Sequence, residues 1–127
     1  MTDWIWVDPD VAIAVHEAQL AEHGGPGGVR DANAFQSAMA RPQELAAYGD
    51  PDAASLAASY AFGFARNHAF VDGNKRTAWV LARMSLALNG MEIAYTATDA
   101  VALVLVLAAG EISEDELAGW FRERIVA

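Results

Sequence analysis

The side chains best suited to chemistry lie in residues 68–77, which read His-Ala-Phe-Val-Asp-Gly-Asn-Lys-Arg-Thr. This stretch combines a histidine, a carboxylate, an amide and two cations. Near pH 7 a histidine is neutral enough to take a proton from a hydroxyl group. We therefore predict that His68 is a general base, four residues before Asp72. Phe70 is expected to point into the core and to anchor the polar residues on either side of it.

Helices are predicted on both sides of this stretch, one over residues 53–67 with a start signal at Asp50-Pro51, and one from about residue 75 to residue 89. Asp72, Gly73 and Asn74 form a turn signal between them, and either Asp72 or Asn74 is expected to cap the second helix. That helix has apolar residues on opposite sides, so we predict that it is central and buried. A buried helix would hold the residues at its N-terminus rigidly.

A helix N-terminus flanked by cations predicts a site for polyphosphate. The backbone N–H groups from Gly73 to Arg76 have no partner within the helix, and Lys75 and Arg76 add positive charge. Asp72 lies at the edge of this site and is predicted to hold Mg²⁺, which prefers a carboxylate together with phosphate oxygens. Arg66 is a further candidate for phosphate contact, although an ordinary solvated arginine explains it equally well.

The motif His-x-Phe-x-Asp-x-Asn-Lys-Arg-Thr resembles that of the Fic/Doc superfamily in its death-on-curing (Doc) form. Weaker resemblances occur at residues 27–31, 40–42, 89–90 and 110–113, so the resemblance covers nearly the whole chain. It implies a toxin of a toxin–antitoxin system that uses ATP and Mg²⁺. The activity implied is transfer of the γ-phosphate to a threonine of elongation factor Tu, which blocks translation.

The resemblance also implies roles for individual residues. Asn74, Lys75 and Arg76 would hold the phosphates, with Gly73 present for its backbone conformation. A flap that positions the target would include Gly28 and Arg30, in the glycine-rich loop that follows the first helix.

An antitoxin of the Phd type is the implied partner, binding as a helix. Its groove is expected beside residues 24–28 and the short helix with Phe35 and Met39, unless these two side chains belong to the toxin's own core.

Two positions depart from the AMP-transferring Fic pattern. Lys75 replaces a glycine and Trp79 replaces an arginine of that pattern, and both changes match the Doc form. They favour kinase activity. A Fic-type AMP transferase acting on an unidentified protein and a non-catalytic protein-binding module are the alternatives.

Composition supports a single packed domain over residues 1–127, with 54% hydrophobic residues. The absence of cysteine excludes thiolate metal sites and fits a reducing cytoplasm, where we expect the protein. A net charge of −9 argues against direct binding to nucleic acid. The longest apolar run, residues 100–109, is too short to span a membrane.

The remaining sequence predicts an all-α fold, a compact bundle of about six helices. His16 and His23, in the first helix, are interpreted as surface or packing residues. In the first half of the chain we expect an apolar arm or strand at residues 4–7 and a first helix from Asp8-Pro9 to His23. A short helix over 31–40 should follow, ended by Arg41-Pro42 with Arg41 as its cap, and then a connector over 43–50. In the second half we expect a buried helix over 99–109 capped by Thr96 or Thr98, and a last helix opened by a capping box at Ser113.

Overall fold

A computed structural model describes residues 3–126, and the fold over that range is all-α as predicted. Two isolated antiparallel bridges, Val29 with Phe70 and Ile93 with Ile125, are the β-type pairings within it. The six helices are α1 (Pro9–His23), α2 (Ala32–Tyr48), α3 (Ala53–Asn67), α4 (Asn74–Leu88), α5 (Ala97–Ala109) and α6 (Glu114–Arg124).

Helix α3 is the most deeply buried element, and it spans the predicted residues 53–67. The start signal expected at Asp50-Pro51 was wrong, because Asp52 is the N-cap and accepts from Ser55 N–H. Leu56, Tyr60 and Phe64 lie along it at four-residue spacing and are each no more than 1% exposed. The helix packs chiefly against α4, α6 and α2. Its many alanines let those neighbours approach closely, since a small side chain adds little distance between helix axes.

Helix α4 begins within the motif, at Asn74, and packs against α3, α1 and α5. Its buried residues include Ala78, Leu81, Ala82 and Leu86. This confirms a buried helix with the motif at its N-terminus. The motif therefore connects the two helices that make the most extensive contacts with each other.

The N-terminal segment before α1 is an anchored arm without regular secondary structure. Asn89, at the end of α4, accepts a hydrogen bond from Ile5 N–H at 2.8 Å and donates one to the Ile5 carbonyl at 3.0 Å. Val7 is buried, and its N–H donates to the Tyr60 hydroxyl at 3.0 Å. Helix α1 then starts as predicted, with Asp8 as its N-cap and Pro9 in its first turn.

Helix α2 corrects one prediction, because it continues through Arg41 and Pro42 to Tyr48. A proline inside a helix removes one hydrogen bond and clashes with the preceding turn, so a stop was expected there. Pro42 is instead buried on the same stripe as Phe35 and Met39, and this packing outweighs the local penalty. Arg41 does not cap the helix: its Nε donates to Glu114 of α6 at 2.9 Å.

Helix α5 corrects a second prediction, since only one side of it is buried. Leu103 and Leu107 face the core, whereas Val101 is 60% exposed and Leu105 is 64% exposed. Thr96 caps the helix in a reciprocal capping box with Asp99, so Thr98 does not. No helix in residues 3–126 combines the length and the apolar character needed to cross a membrane.

Candidate active site

The motif begins where α3 ends, at a strained residue. His68 occupies the C-cap position of α3 with φ 51° and ψ 47°, and it is the one non-glycine residue with positive φ in the described range. This left-handed conformation is unfavourable for a residue with a Cβ atom, and it often marks functional positions. It also ends the helix and leaves the His68 side chain exposed.

Phe70 anchors the loop, as the sequence predicted. It is 1% exposed and makes aromatic contacts with Phe64 and Phe35, at centroid distances of 6.1 and 5.7 Å. Asn74 holds the backbone of the same residue from the other side. Its amide accepts from Phe70 N–H and donates to the Phe70 carbonyl, both at 3.0 Å. Two-sided anchoring of this kind limits movement of the loop between His68 and α4.

The start of α4 differs from the prediction that Asp72 or Asn74 would cap it. Gly73 occupies the N-cap position with φ 77°, and no side chain caps the helix. Asn74 is turned back to Phe70, and Asp72 Oδ1 accepts from Gly73 N–H at 2.8 Å. The first helical hydrogen bond runs from Thr77 N–H to the Gly73 carbonyl at 3.0 Å. The N–H groups between them belong to the uncapped first turn, which is the arrangement that suits an anion.

The glycine-rich loop lies along the motif. Val71 N–H donates to the Gly28 carbonyl at 3.2 Å, and Arg30 N–H donates to the Ala69 carbonyl at 2.8 Å. The Arg30 guanidinium also donates to the His68 carbonyl at 3.1 Å. Gly28 and Arg30 are thus next to the motif, where the predicted flap requires them. Movement of this loop remains a prediction.

These elements enclose a cleft of about 720 Å³, within the usual range of roughly 300–1,000 Å³ for small-molecule sites. One wall consists of apolar α5 side chains that no sequence pattern predicted, because α5 is distant from the motif in the chain. His23, at the end of α1, was also missed as a lining residue. The lining residues are His23, Gly24, Gly25, His68, Val71, Asp72, Gly73, Asn74, Lys75, Arg76, Val104, Leu105 and Ala108.

Six predicted site residues therefore meet in one cleft: His68, Asp72, Gly73, Asn74, Lys75 and Arg76. Arg66 is not among the lining residues. Its side chain is exposed and its guanidinium lies over the Phe62 ring, 5.0 Å from the centroid, so phosphate contact by Arg66 stays a prediction.

The metal-binding capacity of the site rests on one carboxylate. Among residues 3–126 no group of three or more histidine, cysteine, aspartate or glutamate side chains is arranged to hold a metal ion. This donor set does not fit a metal bound by protein ligands alone. It does fit Mg²⁺, which is commonly held by one or two carboxylates together with substrate phosphates. Asp72 is the residue that would supply that carboxylate.

Trp79 lies away from this chemistry, in an aromatic cluster with Tyr95, Trp120 and Phe121. Its ring centroid is 5.8 Å from that of Trp120, and the Arg83 guanidinium lies 5.0 Å from its centroid. A residue at this position is committed to packing between α4 and α6. It brings no positive charge to the cleft.

His16 is a supporting residue whose importance the sequence did not reveal. It is 2% exposed, so of the two interpretations offered for it, packing is confirmed. Its burial could have been predicted from its position four residues after Ala12, because residues at this spacing share one side of a helix and Ala12 is buried. Its ring stacks on Phe70, and its Nε2 lies 2.7 Å from the Asp72 carbonyl oxygen.

Comparison with known proteins agrees with this geometry. Residues 6–86 match the model of the Fic/DOC family. The chain is 32% identical over 117 residues to the protein kinase doc of Escherichia phage P1, covering 91% of this chain and 92% of the phage protein. It is 45% identical over 73 residues to the toxin Doc of Mycolicibacterium smegmatis, covering 56% of each.

The chain belongs to the Fic/DOC family. Since the alignment with the phage protein spans nearly the whole of both chains, the similarity to Doc-type proteins extends over most of the chain and not over the motif alone.

Proposed function

We propose that the protein transfers the γ-phosphate of ATP to a threonine hydroxyl of elongation factor Tu and thereby blocks translation. The observation that carries this proposal is the meeting of His68 with the uncapped start of α4 in one cleft. A base for a hydroxyl and a site for phosphate are the two parts that such a transfer needs.

His68 would accept the proton of the attacking hydroxyl. Its left-handed backbone conformation ends α3 and leaves the imidazole on the cleft side, where the acceptor protein has access. Lys75, Arg76 and the first amides of α4 would bind the phosphates and stabilise charge on the leaving group. Asp72 would hold Mg²⁺, and a bound Mg²⁺ would neutralise part of the phosphate charge. Asn74 contributes indirectly, by fixing the loop through Phe70.

Lys75 and Trp79 support phosphoryl transfer over the alternative of AMP transfer. Lys75 lines the cleft and takes space that a glycine would leave open for phosphates. Trp79 is part of the aromatic cluster, so the cleft lacks the cation that the AMP-transferring pattern provides at that position.

A toxin of this class needs a neutralising partner, and we propose an antitoxin of the Phd type that binds as a helix. The surface for it differs from the one the sequence suggested. Phe35 and Met39 are 8% and 6% exposed and belong to the core, so they offer no free apolar face. Helix α5 exposes Val101 and Leu105, and Leu105 also lines the cleft. A helix lying there would cover the site and bury its own apolar side.

The test of the kinase proposal uses ATP labelled at either the α- or the γ-phosphate. The protein is incubated with purified elongation factor Tu and, separately, with bacterial lysate. Label from γ-phosphate on a threonine of the factor is the expected result. Label from α-phosphate would instead establish AMP transfer, and label on another protein would correct the target.

Two histidine variants show where the chemistry occurs. His68→Ala is expected to lower the transfer rate by about 10²–10⁴-fold, the usual effect of losing a general base. His23→Ala is the matched control, since it removes the other histidine of the cleft. Transfer by His68→Ala at the wild-type rate would show that this residue is not the base.

A further inference from the structure

His16 is a buried histidine without a role in the chemistry proposed above. It does not line the cleft, yet both of its specific contacts are made to the motif. Its ring is stacked on Phe70, with the centroids 3.7 Å apart and the planes 7° apart. Its Nε2 lies 2.7 Å from the carbonyl oxygen of Asp72. A single side chain of α1 thus contacts both the anchor of the loop and the residue before the α4 cap.

The hydrogen bond to Asp72 has a fixed direction. A carbonyl oxygen can only accept, so Nε2 of His16 must carry the hydrogen. The ring cannot turn away from the carbonyl easily, because it lies flat against Phe70 inside the protein. The donor is therefore held in place by packing.

The peptide bond between Asp72 and Gly73 is the pivot of the phosphate site. His16 holds its carbonyl, while its N–H donates to Asp72 Oδ1 at 2.8 Å. The next residue begins α4. Rotation of this peptide would change the direction of the Asp72 carboxylate and of the first amides of α4 together. The His16 ring also lies beside Gly73, since a Cβ atom there would be in ordinary van der Waals contact with His16 Cδ2, at 3.5 Å.

We infer that His16 is a positioning residue for phosphoryl transfer, acting through the Asp72–Gly73 peptide. The inference rests on the proposed function and extends it to a residue outside the cleft. Preorganised donors stabilise a transition state only when their directions are held, and small misplacements are costly. Loss of the His16 donor should therefore lower kcat. The KM for ATP should change less, because Lys75 and Arg76 still attract the phosphates.

Two substitutions separate the hydrogen bond from the packing. His16→Phe keeps a flat ring against Phe70 and removes the donor. His16→Gln keeps an N–H donor of similar reach and removes the stacked ring. We expect kcat to fall about tenfold or more in His16→Phe, with the KM for ATP within about threefold of wild type. His16→Gln should retain kcat within about threefold but unfold at a lower temperature, since it loses the buried ring.

The less stable variant, His16→Gln, is thus expected to have the higher kcat. A purely structural role would instead make activity and stability fall together. A kcat that falls further in His16→Gln than in His16→Phe, in step with stability, overturns the inference. So does a His16→Phe variant that transfers phosphate at the wild-type rate.

Amide hydrogen exchange tests the role of His16 without requiring that the protein be a kinase. If the wild-type protein transfers no phosphate, the proposed function fails, and exchange at Gly73 N–H, which donates to Asp72 Oδ1, and at Thr77 N–H, which donates to the Gly73 carbonyl, still reports on the pivot. His16→Phe should accelerate exchange at these amides about tenfold or more, whereas His16→Gln should not. Equal exchange at these amides in wild type and both variants overturns the positioning role.

Discussion

Gly25 lies directly against the carboxylate of Asp72. A Cβ atom on Gly25 would be 2.6 Å from Asp72 Oδ2, and its φ of 116° is itself unfavourable for other residues. We predict that Gly25→Ala displaces the carboxylate and lowers phosphoryl transfer roughly tenfold or more, because a misdirected catalytic group is costly even at small displacements. The measurement is kcat with ATP and Mg²⁺, at several Mg²⁺ concentrations.

Gly110→Ala is the matched control for that substitution. Gly110 also has positive φ, at 71°, but a Cβ atom there would meet no atom within 4 Å, and the residue lies outside the cleft. It should lose stability by about 1 kcal/mol through backbone strain alone and keep its activity. Equal activity in the two alanine variants would show that the contact between Gly25 and Asp72 does not matter for catalysis.

Helix α3 is tied to α6 at the end opposite His68. Asp52 caps α3 by accepting from Ser55 N–H at 2.9 Å, and Arg122 of α6 donates to both of its oxygens at 2.7 and 3.1 Å. Asp52→Ala removes both functions and should destabilise the protein by roughly 1–2 kcal/mol. Asp52→Asn keeps a capping oxygen and should lose less than about 1 kcal/mol, since exposed ion pairs contribute little. Urea unfolding of the two variants measures the difference.

The Asp52 interaction also predicts a dependence on pH. The hydrogen bonds from Arg122 hold the pKa of Asp52 well below its usual value. A carboxyl whose pKa is lower in the folded state stabilises the protein above its unfolded pKa of about 4, and this stabilisation is lost as the pH falls towards the folded value. The difference in unfolding free energy between wild type and Asp52→Asn should therefore shrink below about pH 4. A difference that stays constant from neutral to acid pH would contradict an effect of charge.

The molecule as a whole has an apolar surface beside its active site, on α5. Val101 and Leu105 are exposed there, and burying such side chains against a partner is favourable by about 25 cal/mol per Å² of apolar area. If the proposed antitoxin binds this face, Val101→Glu should weaken its binding by about tenfold or more, because a charge would be buried without a partner. Val101 does not line the cleft, so kinase activity should persist.

Tyr48→Glu provides the control for that experiment. Tyr48 is 92% exposed at the end of α2, so the substitution adds the same charge at an apolar position away from α5. Calorimetry with the purified antitoxin compares the variants. Unchanged affinity in Val101→Glu would exclude the α5 face as the binding surface.

The sequence alone determined the number of helices, the span of α3 and several of the caps. These follow from local rules: apolar spacing sets the buried side of a helix, and Asp8, Ser113 and the glycines after α1, α4 and α5 mark helix ends. It also identified the motif residues that meet in the cleft, because they are close together in the chain. Local sequence can encode a loop between two helices, including the direction in which Phe70 points.

Only the tertiary structure decided what distant segments contribute. Whether α2 stops at Pro42 depends on the packing of Phe35 and Met39 against the core, and this outweighs the local cost of the proline. The apolar character of α5 predicted burial, but only its neighbours determine that one side remains exposed. The contact between His16 and Asp72 joins residues 56 positions apart. Such a contact arises from the docking of α1 against α4, which no local pattern encodes.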